Sequence, residues 1–244
     1  MLEILYQDEH LVAVNKPSGL LVHRSLIDKH ETQFAMQMVR DQIGQYVYPV
    51  HRLDRPTSGV LLMALSSETA KLVCAVIEAR KMSKTYYAIS RGHTPEQGII
   101  DKALIEQPDK ISDKKMQLNP PAKEAVTQFE TLAKSTLDIE INRYPQSRFS
   151  LVKLMPIHGR KHQIRRHLAH LRHPILGDVN YGDNKYNRYL RDQLNQFRLA
   201  LHAAKVEIPH PITGEMLTIT AGFDQSFQQI LQLTQLPMIN EENL

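Results

Sequence analysis

The sequence contains almost no cysteine, no tryptophan and no long apolar run. Cys74 is the single cysteine among 244 residues, which excludes an intramolecular disulfide and a zinc site built from cysteines. No segment approaches the ~20 consecutive apolar residues that a membrane-spanning helix needs. The N-terminus carries Glu3 and Asp8 where a secretory signal would carry basic residues, and it leads directly into a predicted strand. These absences together predict a cytoplasmic protein.

The net charge is small, because 30 Lys and Arg side chains are balanced by 26 Asp and Glu side chains. The basic residues are nevertheless clustered in a stretch, from His158 to Arg172, that contains no carboxylate. Besides Arg172, the basic residues of this stretch are Arg160, Lys161, Arg165 and Arg166, interleaved with His158, His162, His167, His170 and then His173. Such a cluster on a nearly neutral protein is typical of a face that binds a polyanion, although a solvated helix face has the same composition.

The spacing of apolar residues predicts an α+β fold. Strands are predicted over residues 3–6, 11–15, 60–65, 84–91, 126–132, 137–142, 150–156, 199–208 and 216–220. Helices are predicted from about Phe34 to a stop at Gly44, from Ser66 or Ser67 to Arg80 with Leu72, Val73, Val76 and Ile77 buried, over 162–171 with Ile164, Leu168 and Leu171 buried, and over 225–234. Strands dominate without a regular βαβ rhythm, so we expect a mixed, mainly antiparallel sheet flanked by helices and loops. Residues 1–244 show no linker or repeat and are expected to form a single catalytic domain.

The most informative stretch of the sequence is His51-Arg-Leu-Asp-Arg-Pro-Thr-Ser-Gly59, which lies directly before an apolar strand. It places one carboxylate, Asp54, between Arg52 and Arg55. Neighbouring cations favour the ionised form of a carboxylate, and functional groups are often mounted on loops that lead into a buried strand. A single Asp in a loop is also an ordinary turn residue, so this stretch alone leaves both interpretations open.

This stretch resembles the signature of the pseudouridine synthases, in the large branch that modifies ribosomal and transfer RNA, where its Asp is the essential catalytic residue. Further motifs follow in the order of that family, namely Asn15-Lys-Pro-Ser-Gly19, Lys84-Thr-Tyr86, Gly159-Arg-Lys-His-Gln-Ile-Arg165, His173-Pro-Ile-Leu-Gly-Asp178, Leu201-His-Ala203 and His210-Pro-Ile-Thr-Gly214. His158 departs from the family pattern, which usually has Thr before the Gly-Arg pair. The resemblance implies the α+β catalytic domain of that family, without the separate N-terminal RNA-binding module that many members carry.

The resemblance also implies which residues convert uridine to pseudouridine, and it implies neither a cofactor nor a metal. Asp54 would be catalytic, Arg165 would pair with its carboxylate, and Tyr86 would pack against the target base. Arg52 would help to replace that base when it leaves its stack, which costs roughly a few kcal/mol. Leu201 would close the other side of the base pocket, although Tyr86 and Leu201 would also suit a plain core. Three residues would contact RNA phosphates and give affinity without sequence information, namely Arg160, Lys161 and Arg166.

The substrate suggested by the resemblance is tRNA. Residues 19–25, 39–44 and 167–174 resemble those short members of the family that modify the T-stem of tRNA at uridine 65. A ribosomal RNA substrate is the alternative within the family. The loops 27–33 and 107–123 are expected to help choose the RNA, and the protein is expected to be a monomer because no segment looks like an obligate interface.

Three other functions are open at this point. The histidine cluster suggests a zinc site, for example from His158, His162 and His167, but the surrounding arginines and lysine would repel a dication. A non-catalytic RNA-binding protein would need the basic cluster and not Asp54. A nucleoside hydrolase would ordinarily need a second carboxylate as general acid, and Asp178 is the residue that keeps this interpretation open.

Overall fold

Strands contain more residues than helices in the computed structural model, which describes residues 1–23, 31–105, 121–194 and 198–239. The strands are β1 (Glu3–Gln7), β2 (Leu11–Lys16), β3 (Tyr48–Pro49), β4 (Ser58–Ala64), β5 (Ser83–Arg91), β6 (Gln97–Asp101), β7 (Leu104–Ile105), β8 (Ala122–Lys123), β9 (Val126–Leu137), β10 (Ser147–Pro156), β11 (Leu201–Pro209) and β12 (Met216–Thr220). The helices are α1 (Ala35–Ile43), α2 (Ser67–Glu78), α3 (Gln163–His170), α4 (Asn184–Leu194) and α5 (Gln225–Leu233). Within these ranges no helix has both the length and the apolar character needed to span a membrane.

One large sheet organises the described residues. Its strand order is β1-β2-β4-β11-β5-β10-β9-β6, with β12 beside β11 and β3 beside β4. Neighbouring strands are antiparallel except for β4 and β11, which are parallel, and β7 and β8 form a separate ribbon. This mixed, mainly antiparallel sheet with flanking helices confirms the predicted α+β class.

Both faces of β2 and β4 are buried, which explains why these strands are apolar without interruption. Val12 and Leu61 belong to the core that α1 covers on one face. Ala13 and Leu62 belong to the core on the other face, where Val73 of α2 packs against them. The sheet is therefore rigid at the place where β4 follows the loop that carries Asp54.

The helix boundaries follow the capping residues that the sequence suggests. Gly44 has a φ of 70° and ends α1, since its backbone N–H donates to the Arg40 carbonyl. Of the two serines, Ser66 is the N-cap of α2, because its side chain accepts a hydrogen bond from the Thr69 N–H. The helix ends at Glu78, slightly before the predicted end at Arg80.

Two details of the predicted secondary structure are wrong. Leu72 is 44% exposed, so the buried stripe of α2 runs through Val73 and does not include Leu72. Residues 126–137 form one continuous strand, and 138–142 form no strand, because β10 pairs with β9 along its whole length from Thr127 to Leu137. Between the two predicted strands, Lys134 and Thr136 are exposed, whereas Ala133 and Ser135 are half-buried on the other face of β9.

Several elements were not predicted. Helix α4 is mostly polar and buries only Tyr186, Asn187 and Leu190, so its apolar signal is weak. Strands β3, β7 and β8 have two residues each, and within the described residues β6 pairs with β9 alone. The predicted loop 107–123 includes β8 at its end, and its residues up to 120 lie outside the described residues, as do residues 27–30 of the predicted loop 27–33.

Gly59 allows β4 and β11 to lie side by side. Its φ is 111°, and a Cβ built at this position would lie 2.1 Å from the carbonyl oxygen of Ala203. Only glycine accommodates both the backbone conformation and the close approach. This contact fixes the start of β4, and with it the loop that carries Asp54.

Candidate active site

The turn before β4 presents Asp54 at the edge of the core. The Thr57 backbone N–H donates to the Asp54 carbonyl oxygen at 3.0 Å, which closes the turn. Leu53 is buried, whereas the Asp54 side chain is 17% exposed. The carboxylate is therefore held by a fixed backbone and is still reachable from solvent.

Lys16 holds the loop of residues 17–20 against the turn that carries Asp54. Its side chain is fully buried at the end of β2, and its Nζ donates to the carbonyl oxygens of Pro17 and Leu20 at 2.8 Å each and of Arg55 at 3.1 Å. Burial and the nearby Arg198 lower the pKa of Lys16 to about 7, while the charge of Asp54 opposes that shift. This role of Lys16 was not predicted, although a lysine that directly follows an apolar strand and precedes Pro-Ser-Gly is a visible signal.

Arg165 joins Asp54 to a second carboxylate. Its Nη1 lies 3.3 Å from Oδ2 of Asp54, while its Nε and Nη2 donate to the two carboxylate oxygens of Asp178 at 2.7 and 2.8 Å. The Arg165 side chain is 3% exposed on α3, so it is not a surface helix arginine. The predicted contact between Arg165 and Asp54 is present, but the closer partner of Arg165 is Asp178.

Asp178 is locked in its ionised form. Burial would raise its pKa, but the hydrogen bonds and charge of Arg165 and the backbone N–H groups of Asn180 and Tyr181 outweigh burial and lower the pKa. Both carboxylate oxygens are used, and the side chain is 1% exposed. A carboxylate in this state is unsuited to donate a proton to a leaving group.

Tyr86 and Leu201 lie on the same face of the sheet. Tyr86 of β5 is opposite Ala203 of β11, and Ala88 of β5 is opposite Leu201 of β11. Because residues two apart on a strand point to the same face, Tyr86 and Leu201 share a face. Both Tyr86 and Leu201 are buried. Burial and the negative charge of Asp54 raise the pKa of Tyr86, so its phenol keeps its proton at neutral pH.

A histidine and a tyrosine that the sequence analysis did not single out for this role also lie beside Asp54. His162 is the N-cap residue of α3 and has left-handed backbone angles, with φ 55° and ψ 27°. Its Nδ1 lies 3.0 Å from the Tyr181 hydroxyl, and its Nε2 lies 3.9 Å from Oδ2 of Asp54. The Tyr181 ring in turn lies 5.3 Å from the Arg165 guanidinium. A non-glycine residue in this conformation is a recognised mark of functional sites.

The remaining predicted residues surround this cluster. The Arg52 guanidinium is exposed and has no ion pair or hydrogen bond with any described residue. Arg160 donates to the Glu124 carbonyl at 3.0 Å, and Arg166 donates to the Ile105 carbonyl at 3.0 Å. Arg160, just before α3, and Arg166, within α3, therefore hold Glu124 and Ile105 close to this helix. Lys161, which directly follows Arg160, is half-buried.

A buried polar network supports β4 and β11 behind the site, and the sequence analysis did not predict it. His202 Nε2 lies 3.0 Å from the Ala221 carbonyl, so this nitrogen carries the proton and Nδ1 accepts from the Ser58 hydroxyl at 2.8 Å. The Ser58 oxygen accepts from Arg198 at 2.7 Å, and Arg198 forms an ion pair with Asp224. The sequence gives little sign of this network, because its members are far apart along the chain.

Two of the histidines considered as zinc ligands use ring nitrogens in hydrogen bonds to other groups. His167 lies 2.9 Å from the Thr127 hydroxyl and 3.1 Å from the Lys102 carbonyl, and His158 Nδ1 accepts from the Val126 N–H. Across the ranges that the structure describes, no three His, Cys, Asp or Glu side chains converge as metal ligands do.

Comparison with known proteins places this geometry in a family. The model of the family described as RNA pseudouridylate synthase matches residues 10–170. Proteins named tRNA pseudouridine synthase C are similar: that of Vibrio parahaemolyticus is 53% identical over 229 residues (94% of this chain and 93% of that protein), and that of Pasteurella multocida 54% over 232 residues (95% and 96%). The solved structure of human RNA Pseudouridylate Synthase Domain Containing 4 has a TM-score of 0.71 and 30% identity, covering 98% of this chain and 95% of that one. The chain belongs to the RNA pseudouridylate synthase family.

Proposed function

We propose that this protein converts uridine to pseudouridine in tRNA, at position 65 of the T-stem. Membership of the family supports the reaction, and the names of the relatives support tRNA as the substrate. The observation that carries the proposal is a partly exposed Asp54 carboxylate held 3.3 Å from buried Arg165. In this proposal the protein is a cytoplasmic monomer with a single catalytic domain, and it works without a cofactor or metal.

The reaction breaks the bond between ribose C1′ and N1 of uracil and forms a bond between C1′ and C5. The C5 proton is then lost, and N1 gains a proton. The ionised Asp54 acts either as a nucleophile at the sugar or base, or as a base that removes a sugar proton. Arg165 holds the carboxylate through one contact at 3.3 Å, so the rest of the carboxylate can meet the substrate.

The target base lies between Tyr86 and Leu201 in this proposal. Their shared face provides an aromatic ring and an aliphatic side chain on either side of a flat uracil. The raised pKa of Tyr86 means that its neutral phenol faces the base. Its contribution is therefore packing and hydrogen-bond donation from a protonated hydroxyl.

The RNA around the target would meet the arginines of the site. Arg52 is exposed next to the Asp54 turn, so its guanidinium is free to occupy the space of the extruded base. Positive charge for phosphates comes from Arg160 and Lys161, which precede α3, and from Arg166 within it. Since Arg160 and Arg166 also hold Glu124 and Ile105, replacing them would disturb the neighbouring loop as well as RNA affinity.

The geometry of Asp178 supports an isomerase over a nucleoside hydrolase. A hydrolase of the two-carboxylate type needs a protonated acid near the leaving group. Asp178 is the second carboxylate at the site, but it is ionised, buried and bonded through both oxygens to Arg165. Its role in the proposal is to orient Arg165.

The test is release of tritium from tRNA labelled at uridine C5, since forming the new carbon–carbon bond expels that hydrogen. The wild-type protein is expected to release close to one tritium per tRNA, with no free uracil. A matched transcript with cytidine at position 65 is expected to release none. Release that persists with cytidine 65, or release from ribosomal RNA alone, would overturn the proposed nucleotide or substrate. RNA binding without tritium release would favour a non-catalytic protein, and free uracil would favour a hydrolase.

A further inference from the structure

A cavity separate from the Asp54 site lies where β5 ends and β10 begins. It has a volume of ≈ 780 Å³. Arg91 is the last residue of β5 and Arg148 is the second residue of β10, and the segment before β10 adds Arg143 and Tyr144. Tyr186 of α4 forms the remaining wall, and its ring packs edge-on against Phe149. None of these residues belongs to the site described above.

The cavity is positively charged. Among the described residues, three arginines and no carboxylate form its wall. Arg91 is paired with Asp183 just outside the cavity. Within the described part of the chain, the guanidinium groups of Arg143 and Arg148 have no carboxylate partner, and both residues are exposed. Two unneutralised guanidinium groups beside a concave surface are suited to an anionic ligand.

The cavity also offers a flat surface for stacking. Tyr144 is 58% exposed, and the Arg143 guanidinium lies 4.9 Å from its ring centre and donates to its hydroxyl. Exposed tyrosine rings and arginine planes are the surfaces on which unpaired bases stack. An isolated phosphate would use the arginines alone, so the combination of charge and aromatic surface favours a nucleotide of a nucleic acid chain.

The distance between the cavity and Asp54 suits one continuous RNA ligand. Tyr86 and Arg91 are five residues apart on β5, which corresponds to ~17 Å along a strand. This separation equals about five base pairs of a nucleic acid helix at ~3.4 Å per step.

We propose that this cavity is a second RNA-binding subsite, which holds a backbone phosphate of the substrate on Arg143 and Arg148 and stacks a base or ribose on Tyr144. The proposal rests on the proposed function, because it takes the ligand to be the same RNA that places its uridine at Asp54. The subsite adds affinity and orientation at a distance from the reacting atoms, so it changes how tightly the RNA is held and leaves the chemical step unchanged.

The experiment uses three single variants of the full chain with tRNA. Arg148→Gln removes an exposed charge, and it is expected to weaken tRNA binding about tenfold and to lower the slope of log affinity against log salt by ~0.7–0.9. Tyr144→Ala is expected to weaken binding several-fold with an unchanged salt slope, because it removes a stacking surface and no charge. Lys71→Gln is the matched control, since Lys71 is an exposed cation on α2, and it is expected to bind like the wild type.

Turnover separates this proposal from a catalytic effect. At saturating tRNA the Arg148→Gln and Tyr144→Ala proteins are expected to keep the wild-type kcat, with the loss confined to KM. The subsite is refuted if both variants bind tRNA as the wild type does, or if Lys71→Gln weakens binding as much as Arg148→Gln. A wild-type protein that binds tRNA but releases no tritium would refute the proposed function, and the binding series would still decide the subsite on its own.

Discussion

Two buried arginines contact residues at or just before the start of β4, and they are partnered differently. Arg165 joins Asp54 and Asp178, and we call these three residues the open centre. Arg198 joins Ser58 and Asp224, with His202 behind Ser58, and we call this group the closed centre. The two arginine side chains are 3% and 5% exposed, so burial does not distinguish them.

The two centres differ in how completely their charged groups are paired. In the closed centre, the Arg198 guanidinium donates to Ser58, to Ser226 and to the Leu199 carbonyl, and it pairs with Asp224. In the open centre, Asp178 takes the two short contacts of Arg165, and Asp54 receives one contact of 3.3 Å. Complete pairing suits a structural role, whereas an incompletely paired carboxylate at an opening is available for reaction.

The largest expected effect is loss of activity in Asp54→Asn. This change keeps the shape of the side chain and removes the charge, so tritium release from tRNA is expected to fall by at least ~10³-fold, as it does when reacting groups are removed in other enzymes. Binding of tRNA is expected to stay within about twofold of the wild type, as measured by filter binding. A variant that keeps a tenth of wild-type turnover would show that Asp54 is not the reacting group.

The same substitution in the neighbouring carboxylate is expected to act on stability. Asp178→Asn leaves the buried Arg165 without its main partner, and removing one member of a buried ion pair typically costs ~3–5 kcal/mol. Asp54→Asn is expected to change stability by less than about 1 kcal/mol, because its carboxylate makes one long contact. Urea unfolding of the two variants measures both values. Equal destabilisation would remove the distinction between the two carboxylates.

The sequence predicted the open centre better than the closed one, for a physical reason. Asp54, Arg165 and Tyr86 lie in short motifs that can be recognised locally, and so does Asp178, although its tight bond to Arg165 was not foreseen. The closed centre depends on side chains about 140 residues apart, such as Ser58 and His202. Only the parallel pairing of β4 and β11 brings them together, and a single sequence carries no signal for that pairing.

Similar reasoning applies to the fold. Strands with apolar runs and helices with capping residues were predicted close to their observed bounds, because those signals are local. Helix α4 was missed because only two of its buried residues, Tyr186 and Leu190, are apolar or aromatic and the rest of the helix is mostly polar. The continuous strand β9 was divided in the prediction, because its pairing with β10, and not its own apolar pattern, keeps the middle of it extended.

The closed centre is expected to be the more acid-sensitive of the two. Burial lowers the pKa of His202 to about 4, and its Nδ1 must be unprotonated to accept from Ser58. The unfolded chain takes up this proton near pH ~6.5, so the stability due to neutral His202 is complete above that pH and is lost as pH falls towards about 4. The arginine-bonded Asp178 has a lowered pKa, so its contribution is kept throughout that range and is lost only at lower pH.

The measurement combines unfolding with NMR of the imidazole nitrogens. Between pH ~6 and ~4.5, His202 alone is expected to reduce the free energy of unfolding by ~1.4 kcal/mol per pH unit, and buried His51, whose pKa burial lowers to about 3, adds to the slope with the same sign. The nitrogen spectrum separates them, since His202 is expected to keep its Nε2–H form down to pH of about 4–5. Protonation of His202 above pH 6 would contradict the proposed network.

The smallest expected effect tests whether the neighbours of Asp54 matter beyond Arg165. Nδ1 of His162 accepts from the Tyr181 hydroxyl if Nε2 carries the proton, and this arrangement directs an N–H towards the Asp54 carboxylate 3.9 Å away. The opposite tautomer would direct a lone pair at that carboxylate, which is unfavourable. Tyr181→Phe removes the hydroxyl and keeps the ring near Arg165, so it loosens His162 without breaking the ion pairs.

We expect Tyr181→Phe to lower kcat by about 3–10-fold, with KM for tRNA and the free energy of unfolding close to wild type, since one neutral hydrogen bond contributes ~1 kcal/mol. Tyr46→Phe is the control, because Tyr46 is 72% exposed and outside the site. A kcat equal to that of the control would mean that His162 supports only the start of α3. A loss of kcat approaching that of Asp54→Asn would mean that the open centre depends on His162 as much as on the Asp54 carboxylate. The single contact between Arg165 and Asp54 would then not be the feature that distinguishes the open centre from the closed one.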